Sequence, residues 1–191
     1  MAWIGESLYR DLIMNSPTAF CMTDPSHAIQ LINPAFRTLY GYAEDEVAGS
    51  TPSFLNPGRQ AYFDNGVYHG EYERLFHRMK EYLRSPEQPQ LSARVLNQTK
   101  DGRLLWVSLT INAIYDDDGR LTGFLGASEN ISEEVDAELR VRLNIFQGIT
   151  DLAETRDNET GEHVKRIASY TKLLASQLGM PSAFVRQIEL F

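Results

Sequence analysis

Cysteine is nearly absent. One, Cys21, stands in 191 residues, which excludes an internal disulfide framework and a multi-cysteine zinc site. A single thiol fits a reducing compartment. Basic charge is also scarce: 18 Lys and Arg stand against 26 Asp and Glu, a net charge of −8. That balance argues against a large phosphate-binding surface, and so against a nucleic-acid polymer as partner. No apolar run approaches the roughly 18 residues that span a bilayer. The opening MAWIGESLYRDL lacks the basic start, apolar stretch and small-residue cleavage site of a secretory signal. The chain therefore reads as cytoplasmic, with no membrane segment of its own. Hydrophobic residues make up 42%, enough for a core without a metal or disulfide staple.

Periodicity divides the chain. Residues 5–15 carry Leu8, Leu12 and Ile13 at helical spacing, a short amphipathic helix. Two short apolar runs, 18–23 and 28–32, flank the turn residues Asp24, Pro25 and Ser26. Asn33-Pro34 is a good helix start, and PAFRTLY stops at Gly41. AEDEVAG is a second short helix, acidic at its N-terminal end as the helix dipole prefers. Residues 51–66, with Pro52, Pro57, Gly58 and Gly66, read as an irregular connection, and 67–84 as a longer helix.

From 90 to 130 the period becomes two. Segments 90–98, 103–114 and 121–128 read as strands, joined by Lys100-Asp101-Gly102 and Asp117-Asp118-Gly119. Both alternating sets of the middle strand are partly apolar, so something covers the second face: the N-terminal helix, a partner subunit, or both. From 131 the helical period returns, with Ile131, Val135, Leu139, Leu143, Phe146, Ile149 and Ala153 in an acidic and basic surround. A last helix, about 161–178, ends at Gly179.

The segments INPAFRTLYGYAEDEVAGS, FLNPGRQ and NQTKDGRLLWVSLTINAIYDDDGRLTGFLGASENIS resemble a PAS domain, over roughly residues 8–132. The resemblance implies an α+β fold, a five-stranded antiparallel sheet with short flanking helices, here with a C-terminal helical extension. The terminal ENIS resembles the Asp-Ile-Thr junction that ends many PAS domains, with Asn130 in place of the aspartate. The stretch ITDLAETRDNETGEHVKRIASYTKLLASQLGM resembles the opening helices of an HD-GYP domain, a bacterial cyclic-di-GMP phosphodiesterase. That likeness makes Glu159 and His163 metal ligands. Four residues apart, they share a helix face and can share an iron, manganese or zinc ion. The chain has no His-Asp dipeptide and no Gly-Tyr-Pro. It is thus expected not to be an enzyme by itself, but a fragment of a metal-dependent phosphodiesterase. The expected division is an N-terminal helix over 1–15, a PAS domain over 16–132, a signalling linker over 133–153, and the incomplete start of the HD-GYP domain over 154–191.

Several residues invite a functional reading beside a plain one. His69 and His77 lie on the long helix, where some PAS oxygen sensors carry the proximal histidine of a haem. His69 leads His77 for that role; the plain reading is two surface histidines. Asn33, Tyr68, Tyr72, Trp106 and Asn112 suit a cavity for a small-molecule ligand, or ordinary packing. Cys21 lies in the first strand, outside any flavin-photosensor motif, and reads as a small buried hydrophobe. The 131–153 stripe reads as one strand of a parallel homodimer, or as a helix folded back on its own domain. A dimer would use this linker together with the sheet or the N-terminal helix.

Overall fold

The computed structural model describes residues 6–156 and 158–177, with Val185 and Ile188; side chains at 6, 7, 9 and 150–164 lie outside that description. In chain order the elements are α1 (Glu6–Met14), β1 (Ala19–Thr23), β2 (Ile29–Ile32), α2 (Pro34–Tyr40), α3 (Glu44–Val47), a 3₁₀ turn (Pro52–Leu55), α4 (Arg59–Asp64) and α5 (His69–Arg84). There follow β3 (Gln90–Gln98), β4 (Leu104–Tyr115), β5 (Leu121–Asn130), α6 (Ser132–Arg156) and α7 (Asn158–Gln177). Contacts group them into two compact units: Met1–Pro57 with Glu73–Ser132, and Gly58–Tyr72 with Glu133–Phe191.

The first unit is built on one antiparallel sheet in the order β2-β1-β5-β4-β3. β1 pairs with the last strand as well as the second, so the two ends of the unit meet at its centre. Ala19, Cys21, Ile29, Ile32, Phe36, Tyr40, Val47, Leu55, Val95, Leu105 and Val107 form the main buried cluster. Asn33 caps α2, with Pro34 in its first turn, and Gly41 ends it at φ 81°, a left-handed conformation that glycine adopts without strain.

Residues 51–66 differ from the irregular connection expected of them. Pro52 opens the 3₁₀ turn, and Gly58, at φ 90°, immediately precedes α4. The breakers flank two short helical pieces rather than dissolve them. Helix α1 leaves Leu8 45% and Leu12 60% exposed.

In the second unit, Leu139, Val141, Ile145, Phe146 and Ile149 are exposed along α6, and Ile167, Tyr170, Leu173 and Leu174 along α7. Among the described residues, no helix is long and apolar enough to cross a membrane.

Candidate functional site

The face each strand residue takes decides what could line a cavity. On β4, Leu105, Val107 and Ile111 are buried and belong to the core clusters. Successive side chains alternate faces, so Trp106 and Asn112 point the opposite way. These two expected pocket residues therefore lie on the outer face, where Trp106 pairs across the strands with the buried Leu96.

Asn33 is wholly buried, but its side chain is committed to backbone. Its Oδ1 accepts from Phe20 N and Phe36 N, each at 2.9 Å. Its Nδ2 donates to Thr18 O at 2.8 Å and Ile13 O at 3.0 Å. That uses the whole capacity of an amide side chain. Asn33 joins the end of α1, the start of β1 and the start of α2, which leaves it nothing to offer a ligand.

Tyr68 is exposed, and Tyr72 is half-buried beside Tyr62, ring centroids 5.1 Å apart. The Arg59 guanidinium lies 5.6 Å from the Tyr72 ring and 5.7 Å from the Phe63 ring. Its Nη2 is 2.8 Å from Nε2 of His69. Arginine has donors only, so Nε2 is the accepting atom of this contact. His77 is exposed and 3.2 Å from Glu81. Both candidate haem ligands are thus solvent-facing imidazoles, each engaged by a neighbour. Glu159 and His163 fall on α7, but their side chains lie outside the described residues.

Polar groups that the sequence did not single out gather inside the first unit. The Tyr40 hydroxyl is buried and accepts from Nδ2 of Asn97 at 2.8 Å. Burial pushes its phenol up, against hydrogen bonds with Ser128 and Asn97. Cys21 is a free, buried thiol whose pKa is pushed up to about 12 by loss of solvent. Alternation in TAFCMT was the available signal: it places Cys21 and Thr23 on one face.

At the other end of β5, the chain leaves the sheet through a polar latch. Asn130 Oδ1 accepts from Ser132 N at 3.0 Å and from Ser132 Oγ at 2.7 Å. Ser132 Oγ in turn accepts from the Trp106 amide at 3.0 Å, and Ile131 N donates to Trp106 O at 2.8 Å. The first residue of α6 is thereby tied to the start of β4.

Known proteins repeat this architecture. The chain is 31% identical over 121 residues to the bacterioopsin transcriptional activator of Halobacterium salinarum, covering 61% of this chain and 15% of that protein. It is 25% identical to blue-light-activated histidine kinase 1 of Erythrobacter litoralis, covering 88% of this chain and 49% of that protein. The chain therefore spans half or less of the length of these relatives. A solved structure described as "Flavin Analogue Sheds Light on Light-Oxygen-Voltage Domain Mechanism" superposes with a TM-score of 0.55 at 28% identity, over 74% of this chain and 97% of that one. The family model of the PAS domain matches residues 17–133. With its five-stranded sheet and flanking short helices, this chain belongs to the PAS-domain family.

Proposed function

We propose that this chain is the regulatory part of a bacterial signalling protein: its PAS domain senses a small ligand and, as a dimer, sets the rate of an HD-GYP cyclic-di-GMP phosphodiesterase. The observation that carries the reading is the latch. Strand β5, helix α6 and the segment resembling the HD-GYP opening follow one another in the chain, and Ser132, at the start of α6, is hydrogen-bonded to Asn130 of β5 and to Trp106 of β4. A change in the sheet has a direct route into α6, where a shift between two helix arrangements would carry it onward. In a complete output domain, Glu159 and His163 would hold a divalent metal such as iron or manganese. Such a metal would supply an activated water for phosphodiester hydrolysis.

Among ligands, a flavin has the support of the light-oxygen-voltage structure, which shares 28% identity with this chain. The chain's one cysteine lies in β1, outside any flavin-photosensor motif, so a flavin here would be held without a covalent bond. Haem has less support, because Arg59 occupies Nε2 of His69. A second reading, a dimerisation module without a ligand, is favoured by the exposed apolar residues of α6. Such a stripe is stabilised by a matching helix from a second copy.

The test is a cyclic-di-GMP hydrolysis assay with added iron or manganese. This chain should give no turnover, and the longer protein should give turnover that His163→Ala abolishes. Turnover by this chain, or a longer protein indifferent to His163→Ala, would refute the assignment of the output.

A further inference from the structure

Helix α5 turns one side to the core of the first unit. Tyr82 is buried there, and Leu75, Met79 and Leu83 pack against the core clusters. At about 100° per residue, Arg74, His77, Arg78, Lys80, Glu81 and Arg84 fall on the other side, and all six are exposed. From Arg74 to Arg84, four Lys and Arg stand against one carboxylate, Glu81. His77 engages that carboxylate at 3.2 Å. In a chain of net charge −8, this is a distinctly basic face. Arg78 reaches Ser92 O at 3.5 Å, while Arg74, Lys80 and Arg84 make no ion pair among the described residues. A helix that only meets water gains by setting acids four residues before bases. Helix α5 sets Arg74 before Arg78 and Lys80 before Arg84, like charges that repel at that spacing. An acidic surface laid across them relieves the repulsion.

The start of α6 supplies such a surface. Glu133, Glu134 and Asp136 are exposed, and none of them is in an ion pair among the described residues. Glu133 and Glu134 stand in the first turn of the helix, where its dipole favours them. Asp136 lies beyond that turn, where the benefit has faded. Immediately after these acids comes the exposed apolar stripe of α6, beginning at Leu139. A second copy that covers the stripe carries its own acidic turn next to it.

We infer that the basic face of α5, through Arg74, Lys80 and Arg84, receives the acidic start of α6 from a second copy of this chain. Two-fold symmetry makes the contact twice per dimer. Complementary charge of this kind fixes which surfaces meet and in what orientation, while the apolar stripe supplies burial. The latch residue Ser132 immediately precedes the acidic turn, so each copy's α5 bears on the other copy's latch, and a shift in one sensor domain reaches the output helix of its neighbour. This inference rests on the dimer of the proposed function and names the surfaces that set its pairing.

The experiment is sedimentation equilibrium of this chain and two charge-reversed variants. One carries Arg74→Glu, Lys80→Glu and Arg84→Glu; the other carries Glu133→Lys, Glu134→Lys and Asp136→Lys. Each alone keeps the circular dichroism spectrum of the wild type and dimerises at least tenfold more weakly. For the second variant this runs against overall charge, since its reversals bring the chain nearer to neutral. An equimolar mixture of the two forms a heterodimer within threefold of the wild-type affinity, because both contacts then join acid to base. Combining all six reversals in one chain restores the homodimer as well. Rescue by the six-fold variant but not by mixing would place the contact inside one chain and overturn the inference. Wild-type dimerisation by both separate variants would overturn it too, leaving the dimer in place and the basic face to another acidic partner. A wild type that stays monomeric at every concentration would overturn both this contact and the dimer on which it rests.

Discussion

The backbone amide of Trp106 donates a hydrogen bond to Ser132 Oγ over 3.0 Å, linking residues 26 positions apart. Ser132 begins α6, and Asn130 holds it from the other side. Where many PAS domains end on an aspartate, an uncharged asparagine here closes the junction through hydrogen bonds. Ser132→Ala deprives the Trp106 amide of its acceptor and should cost about 1 kcal/mol in urea unfolding. Amide exchange at Trp106 should speed up with it. Unchanged exchange at Trp106 would show that the latch carries no constraint.

Asn33 is the costliest single polar residue to change. Its four hydrogen bonds join α1, β1 and α2, and at about 0.5–1.5 kcal/mol each they predict a loss of about 2–6 kcal/mol in Asn33→Ala. Asn33→Asp is not a rescue. It keeps the two acceptors but sets a carboxylate against the carbonyls of Ile13 and Thr18. Chemical denaturation of both variants tests this, and a loss under 1 kcal/mol in either would contradict the clamp.

Cys21 is buried and its thiol is pushed up to about 12, so almost no thiolate exists at neutral pH. An aromatic disulfide reagent should label it only as fast as the domain opens. Labelling rates should rise with urea in step with unfolding. Rapid labelling of the native protein would place the thiol on the surface instead.

How much of this was legible beforehand depended on which signal was local. Strand β3 and helix α2 emerge with the expected ends, because turn residues and period bound them on both sides. Helix α4 did not, because Pro57, Gly58 and Gly66 crowd a six-residue helix whose period is too short to register. The cavity residues were harder. Trp106 and Asn112 lie on a strand with two half-apolar faces, and only the burial of Leu105, Val107 and Ile111 shows which face is inward.

The β1–β2 turn gives the chain a defined response to acid. Asp24 Oδ1 accepts from Ser26 N, Ser26 Oγ and Ala28 N at 2.7–2.9 Å, chiefly the Ser26 hydroxyl holding the carboxyl below its usual range. The same turn fixes His27 at φ 69°. A depressed carboxylate pKa stabilises the fold fully above the unfolded value of about 3.9, and that contribution is lost as pH falls through the lower folded value. Wild type should therefore exceed Asp24→Asn in stability at pH 7, and the gap should narrow as pH falls below the unfolded carboxylate range. A gap that stays constant with pH would mean that the ionised form is not the one the turn prefers.

The central claim is that the PAS sheet governs the output through α6. The most direct measurement is cyclic-di-GMP hydrolysis by the longer protein in its wild-type, Ser132→Ala and Asn130→Ala forms. The account predicts metal-dependent hydrolysis in all three, with a basal rate shifted severalfold in both latch variants while metal affinity stays the same. Identical rates in folded wild type and variants, or no hydrolysis at all by the wild type, would contradict it.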